Sequence, residues 1–304
     1  MVDQVPLPAG RRPYRASATL LGVGALAMWA LYATLVVGAR GLPPFLTLAV
    51  LFSAATLVLL LRRVILGNGF ADIFQVPLAT LLLGFLGIFG SNAAYVLAIG
   101  TGVDPVGATI LSFSWPILMV IIVVAAGISR ATSWDGLALL LGFSGMSIAA
   151  LGDGRFSLHP GLILAFLSGL CWALYSGLRT LVPAGPQDST AAFNLWSAVA
   201  AWTLHFALEP TTSLDVANLW QLATVAIAGV LAVGIANLMW DIGAREGDPV
   251  LLASLAFAEP ILSTGLLALF VTGKYQFGNA ISLALVMAGA GASMVSERRR
   301  RQTA

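Results

Sequence analysis

The sequence predicts an all-α polytopic membrane protein with ten transmembrane helices in two inverted five-helix repeats. Three observations carry this reading. Hydrophobic residues make up 59% of the 304-residue chain and charged residues 9%, where soluble domains carry about 25% charge; the mean hydropathy is +0.94. Short polar breaks divide the chain into apolar segments, each about long enough to cross a bilayer as a helix. One stretch occurs twice. Asp104-Pro105-Val106 is followed after eight residues by Trp115-Pro116-Ile117-Leu118, and Asp248-Pro249-Val250 after eight by Glu259-Pro260-Ile261-Leu262, at a constant offset of 144.

In order, the predicted spans are 17–38, 43–61, 77–99, 105–127, 134–151, 160–181, 189–208, 217–240, 249–272 and 277–296. The first apolar run is longer than a signal-peptide core and reads as an uncleaved span. No break is long enough to form a soluble domain. The single cysteine, Cys171, permits no internal disulfide.

Lys and Arg set the orientation. With the N-terminus inside, Arg11, Arg12, Arg15, Arg62, Arg63, Arg130, Arg179, Arg245 and the arginine run at 298–301 face inward, and only Arg40, Arg155 and Lys274 face outward. The positive-inside rule then places both termini in the cytoplasm and the loop from Asp153 to His159 outside. This assignment leaves no basic residue near the middle of a span; Arg179 falls at the inner end of span 6. The run at 298–301 reads as a topology anchor on anionic lipid, not as a nucleic-acid patch.

Each copy of the repeated stretch opens as a helix start, with Asp to cap the free N–H groups and Pro suited to the first helical position. Each carries a second proline, Pro116 or Pro260, that kinks the helix as a hinge and frees the carbonyl four residues back, Ser112 or Ala256. Eleven residues of helix rise about 16 Å, so both kinks fall near the middle of a core about 30 Å thick. Trp29-Ala30-Leu31-Tyr32 in span 1 recurs as Trp172-Ala173-Leu174-Tyr175 in span 6, and Asn92 and Tyr95 in span 3 are echoed by Asn237 and Trp240 in span 8. Five spans per half is an odd number, so the halves, 17–151 and 160–296, run in opposite orientation. Inverted repeats with interrupted helices mark secondary transporters, whose substrate binds near the midplane between the halves.

On these residues the chain resembles the drug/metabolite transporter superfamily, and its EamA-like branch in particular, from about Thr19 to Ser296. Glu259-Pro260 matches the common pattern; Trp115-Pro116 departs from it. Within the branch the chain is most similar to bacterial exporters of aromatic amino acids, in its aromatic-rich spans 1, 4 and 6 and its basic-free interior. The resemblance implies an inner-membrane transporter that exports amino acids, aromatic or apolar by preference, through a central cavity by alternating access. It implies a small-molecule amino acid substrate, contact with membrane lipid, no nucleic acid and no cofactor or metal. A proton-coupled multidrug or metabolite exporter is the alternative; the oligomeric state stays open, a monomer being compatible.

Candidate substrate-binding residues follow from depth and polarity. Among thirteen acidic residues Glu259 alone lies deep in a span, where a carboxylate is costly and usually functional. It reads as a ligand for a substrate ammonium or as a proton site, against a buried acid that satisfies helix ends around Pro260. The freed Ser112 and Ala256 carbonyls read either as substrate ligands or as groups satisfied by water or a hydroxyl. Trp29 and Tyr32, and Trp172 and Tyr175, are spaced by three and share a helix face; cavity lining and an interfacial aromatic belt both fit them. Asn92, Tyr95, Ser112, Ser114, Trp115, Asn237 and Trp240 are further candidates, with interhelical glue as the alternative for the small polar ones.

Other features read structurally. His205, beside Glu209 at the outer end of span 7, reads as interfacial. Gly22, Gly24, Gly84, Gly87, Gly90, Gly142, Gly145, Gly289 and Gly291 read as small-residue packing surfaces. Asp241, Arg245, Glu246 and Asp248 crowd one inner segment, which reads as a solvated loop and secondarily as a cytoplasmic gate. An integral-membrane enzyme would need a convergent set of His, Asp, Ser or metal ligands, and the sequence offers none. A phosphate or nucleotide-sugar carrier would need a basic residue at the midplane.

Overall fold

The computed structural model describes residues 15–32, 42–103, 111–151, 159–183, 189–209 and 219–259, with isolated helical residues at 35, 108, 262 and 266 and between 281 and 296. Asp104, Pro105, Pro260, Arg11, Arg12, Arg40, Asp153, Arg155, Lys274 and the run at 298–301 lie outside the described residues. Among the described residues the regular structure is helical throughout: α1 (Ala16–Ala30), α2 (Pro44–Ile65), α3 (Leu78–Ala98), α4 (Trp115–Ala125), α5 (Ser133–Leu151), α6 (Gly161–Leu178), α7 (Ser189–Leu208), α8 (Leu219–Glu246) and α9 (Pro249–Ala256). They fall on the first nine predicted spans in order. Five of them, α2, α3, α6, α7 and α8, are long and apolar enough to cross a membrane; α1 and α4 are shorter apolar helices.

Local chemistry sets the ends. Pro44 opens α2 at its first position, where a missing N–H removes nothing. At its other end Gly67 adopts φ +70°; its N–H donates to the Val64 carbonyl and the Asn68 N–H to the Arg63 carbonyl, the Schellman pattern that only a left-handed residue closes cheaply. Gly127 ends α4 the same way at φ +71°. Asp248 caps α9 as expected, its Oδ1 accepting from the N–H groups of Val250 and Leu251 at 3.0 and 3.1 Å.

Two helices are locally widened. α3 passes through a π-helical stretch at Leu86–Gly90 and α8 through one at Gly229–Ile235. The starts of the two stretches share the offset that relates Trp29 to Trp172. The second stretch is two residues longer, so positions beyond it, such as Asn92 and Asn237, stand at an offset of 145 instead of 143. The repeated stretch breaks at matching places as well. A turn at Phe113–Ser114 precedes α4, and another follows α9 at Phe257, the counterpart of Phe113 at the offset of the repeat.

Packing follows one scheme. α1 packs on α8 and α6 on α3; α2 packs on α8 and α7 on α3; α4 packs on α6 and α9 on α1; α2 pairs with α7 and α4 with α9. Each contact has a counterpart five helices along, or maps onto itself. The continuous core runs through these contacts, from Phe45 and Phe52 on α2 to Trp240 and Phe257. Its outer surface is apolar too. Leu57, Leu61, Leu82, Leu140 and Ile163 stand exposed on four helices, an arrangement suited to lipid and not to water. Close helix approach uses glycine: a Cβ at Gly87 would collide with Tyr175, and one at Gly142 with Phe257. At Gly291 no such contact is seen among the described residues.

Candidate functional site

The predicted aromatic residues converge where α1, α4, α6 and α8 meet. The Trp29 and Trp172 rings stand edge to face with centroids 5.4 Å apart. Trp29 also meets Trp240 at 5.1 Å, Trp240 meets Trp115 edge to face at 5.4 Å, and Trp172 meets Tyr175 at 5.4 Å. Five of the predicted site residues thus form one continuous run of rings. Trp115, Tyr175 and Trp240 are buried and Trp29 and Trp172 partly so. Rings packed on one another in this way differ from an interfacial belt, where one end of each ring meets water.

Polar handles fix the rings. The Trp29 indole N–H donates to the Ala232 carbonyl at 2.8 Å and to Asn237 Oδ1 at 3.2 Å. Ala232 lies in the π stretch of α8, whose widened turn leaves a backbone carbonyl for side-chain use. This explains the predicted Asn237. The Trp240 N–H donates to Ser176 Oγ at 2.9 Å. On α3, Asn92 donates through Nδ2 to the Ile88 carbonyl in the other π stretch at 2.7 Å.

The remaining candidates are scattered around this centre. Ser112 Oγ and Ser168 Oγ lie 3.2 Å apart and join the segment before α4 to α6. The Ser112 carbonyl, freed by Pro116, lies against Gly169, where a Cβ would strike it; α6 covers it in this conformation. Pro116 occupies the second position of α4, directly after the turn, so the expected kink is realised as a helix break. Tyr32 packs on the main core and Tyr95 on a smaller cluster around Ala98 and Leu162. Ser114 is partly buried, and its hydroxyl makes no hydrogen bond among the described residues. Glu259 is helical and partly buried. No hydrogen bond or ion pair joins it to another described residue.

Three readings need correction. Asp241, Arg245 and Glu246 are not on a solvated loop, because α8 continues to Glu246. Asp241 is buried, with Oδ1 accepting from Arg179 Nε at 2.7 Å and from the Tyr175 hydroxyl at 2.8 Å, and with Oδ2 3.1 Å from Arg245 Nε. An acid inside a helix end is stable when opposite charges and a hydroxyl take up its lone pairs. Second, Arg179 is not a free inner anchor. It follows α6 directly and is 2% exposed; its place inside the predicted span 160–181, one turn after Tyr175, was the available signal. Third, His205 lies in the last turn of α7, as the sequence places it, but is fully buried in the protein. Its Nδ1 lies 2.7 Å from Glu209 Oε2. Glu209 in turn accepts from the N–H groups of Phe45 and Leu46 at 2.6 and 3.0 Å, capping α2 from a neighbouring helix.

With the geometry established, comparison with known proteins is informative. No family model matches the chain. The aromatic amino acid exporter YddG of Ancylobacter novellus is 31% identical over 291 residues, covering 94% of this chain and 99% of the relative. The protein of the same name from Salmonella typhimurium is 26% identical over 306 residues, covering 93% and 98%. A solved crystal structure superposes with a TM-score of 0.86 at 28% identity, over 93% of this chain and 99% of the other. These near full-length matches, joined to several helices able to cross a bilayer, make it a multi-pass membrane protein, and the chain belongs to the family of the aromatic amino acid exporter YddG.

Proposed function

We propose that the protein is an inner-membrane secondary transporter that exports aromatic amino acids by alternating access. The observation that carries this is the run Tyr175–Trp172–Trp29–Trp240–Trp115, which joins rings from both halves of the chain. Flat apolar faces with a few indole and hydroxyl groups suit an aromatic side chain. The names of the relatives point to the same substrate class.

The architecture is ten spans in two inverted five-helix repeats, 17–151 and 160–296, of the drug/metabolite transporter, EamA-like type. Support comes from the matched π stretches, the matched helix breaks and the contact scheme in which each pair recurs five helices along. Both termini are cytoplasmic. The set α1, α8 and α9 rocks against the set α3, α4 and α6 about the breaks beside Pro116 and Pro260. The ring cluster lies between the two sets, with Tyr32, Asn92, Tyr95, Ser112 and Asn237 around it. Glu259 binds the substrate ammonium or carries a proton. No chemical step is involved and the protein is not an enzyme.

The test is export of tritiated L-tryptophan from proteoliposomes, with and without an imposed pH gradient. Saturable flux above empty liposomes is expected; its absence at verified orientation and protein level would remove the reading. Flux that rises with the gradient would assign proton coupling.

A further inference from the structure

We propose that Arg179 is the binding site for the carboxylate of the transported amino acid, and that this carboxylate takes the place of Asp241 when α6 and α8 part. The inference rests on the reading of the chain as an amino acid exporter.

The charge arrangement is incomplete as it stands. Asp241 is shared by two guanidinium groups, Arg179 from the end of α6 and Arg245 from one turn along α8. Neither arginine has another ion-pair partner among the described residues. The Arg179 guanidinium is almost fully buried, and its Nη1 makes no hydrogen bond among those residues. A guanidinium carries five N–H donors in a planar fork suited to a carboxylate. Here its Nε donates end-on to a single oxygen. A buried donor on a permanent cation is costly to leave empty, which makes the Nη1 edge an anion site.

Its position fits an amino acid. Arg179 stands four residues after Tyr175 and seven after Trp172, on the α6 face that carries both rings. Seven residues of helix rise about 10 Å, comparable with the distance from the carboxylate of an aromatic amino acid to the far edge of its ring. The guanidinium also sits 6.0 Å from the centroid of the Phe193 ring, which holds it in place. The rings select the side chain. The arginine reads the group that every amino acid shares.

The ion pair also spans the two moving sets. α6 packs with α3 and α4, while α8 packs with α1 and α9. The hydrogen bonds from Tyr175 and Arg179 to Asp241, and from Trp240 to Ser176, all cross between these sets near the same ends of α6 and α8. Parting them strips Arg179 of its anion. A substrate carboxylate restores it, so a bound amino acid favours the parted state, and an amine or amide of the same shape does not.

The experiment compares L-tryptophan with L-tryptophanamide, which has the same ring and ammonium and no carboxylate. Binding of each to the detergent-solubilised full chain is measured by calorimetry. The parent is expected to bind tryptophan about tenfold or more tightly than the amide, the effect of hydrogen bonds to charged groups. The double variant Arg179→Gln, Asp241→Asn removes the fully buried ion pair and leaves only Arg245, which is partly exposed, without its partner; it should reduce that ratio to about twofold or less. Asp241→Asn by itself should tighten tryptophan binding and leave the amide unchanged. A folded double variant with the parent's ratio overturns the inference while leaving the exporter reading in place. If the double variant does not fold, Arg179→Lys decides the matter, because it keeps the charge and loses the fork: a reduced ratio supports the site and an unchanged one overturns it. A parent that binds neither compound removes the exporter reading and this inference with it.

Discussion

Trp29 and Trp172 occupy equivalent places in the two halves of the sequence, and their rings touch edge to face at 5.4 Å. A local repeat in the sequence has thus become a contact at the centre of the fold. The two residues differ in one respect. Trp29 donates its indole N–H to Ala232 and Asn237, and no hydrogen bond is made by the Trp172 indole among the described residues.

The pair predicts unequal effects of the same substitution. Trp29→Phe keeps most of the ring contact and removes the donor shared by two acceptors at the π stretch. It should lower stability by about 1–2 kcal/mol, seen as a reduced Tm in detergent, and weaken aromatic substrate transport. Trp172→Phe should leave stability within about 0.5 kcal/mol of the parent while still weakening transport. Equal Tm losses in both variants would show that ring packing, and not the indole bond, sets the difference.

Glu209 predicts a purely structural effect. Its carboxylate accepts two N–H groups at the start of α2 and lies against buried His205. Glu209→Ala leaves both N–H groups and the imidazole without partners, and should cost about 2–4 kcal/mol. Glu209→Gln keeps an acceptor and should cost less. The check is thermal unfolding in detergent. Parent-like melting of the alanine variant would show that water or lipid headgroups satisfy the end of α2 instead.

Topology has a direct test. Cysteine placed at Asp153, in a background with Cys171 replaced by Ser, should react with an impermeant maleimide in intact cells. The expectation follows from the excess of inward over outward basic residues. Labelling only after lysis would reverse the orientation of every span.

The hinge expectation now has a defined target. Around Pro116 the helix is broken at Phe113–Ser114, and the freed Ser112 carbonyl rests on Gly169 of α6. Pro116→Ala supplies the missing N–H and should extend α4 backward through the turn, pulling that carbonyl off α6. Export should fall by roughly tenfold at equal protein level, the effect of about 1.4 kcal/mol on the transition between states. Full export by Pro116→Ala would make the proline a packing residue.

Much of this fold was legible because each span had only one kind of environment to satisfy. Apolar runs of helix length, Asp248-Pro249 at a helix start and glycines at crossings each carry a local reason that the structure repeats. The ring cluster was legible through the internal repeat, since matching residues of spans 1 and 6 meet through their rings. What escaped was polar and nonlocal. Arg179 and Asp241 are 62 residues apart, and each alone looks like an inner-surface charge; only their pairing makes burial affordable. Glu209 caps a helix start that precedes it by 163 residues at Leu46, a role that no local pattern signals. The π stretches were hidden for a related reason. Their effect on sequence is a slip in the repeat offset from 143 to 145, which is visible only once the extra turn residues are known.

Glu259 is the residue whose role depends most on function. It has no hydrogen-bonding or ionic partner among the described residues, which is unusual for a partly buried acid in an apolar chain unless a substrate or proton completes it. Glu259→Gln keeps the shape and removes the charge, so transport should fall under either role. Binding separates them. If the carboxylate pairs with the substrate ammonium, tryptophan affinity should drop by about tenfold or more, since hydrogen bonds to charged groups contribute about 1.5–3 kcal/mol. If the carboxyl group carries a proton, the variant should bind tryptophan as the parent does and lose its response to an imposed pH gradient. The two outcomes also differ toward analogues that lack the ammonium, such as indole-3-propionate. An ammonium site predicts that the parent binds this acid poorly and that the Gln variant discriminates against it less. A proton site predicts the same discrimination in both. Parent-level transport and binding in Glu259→Gln, measured together in liposomes, would leave Glu259 as a structural acid beside the break in α9.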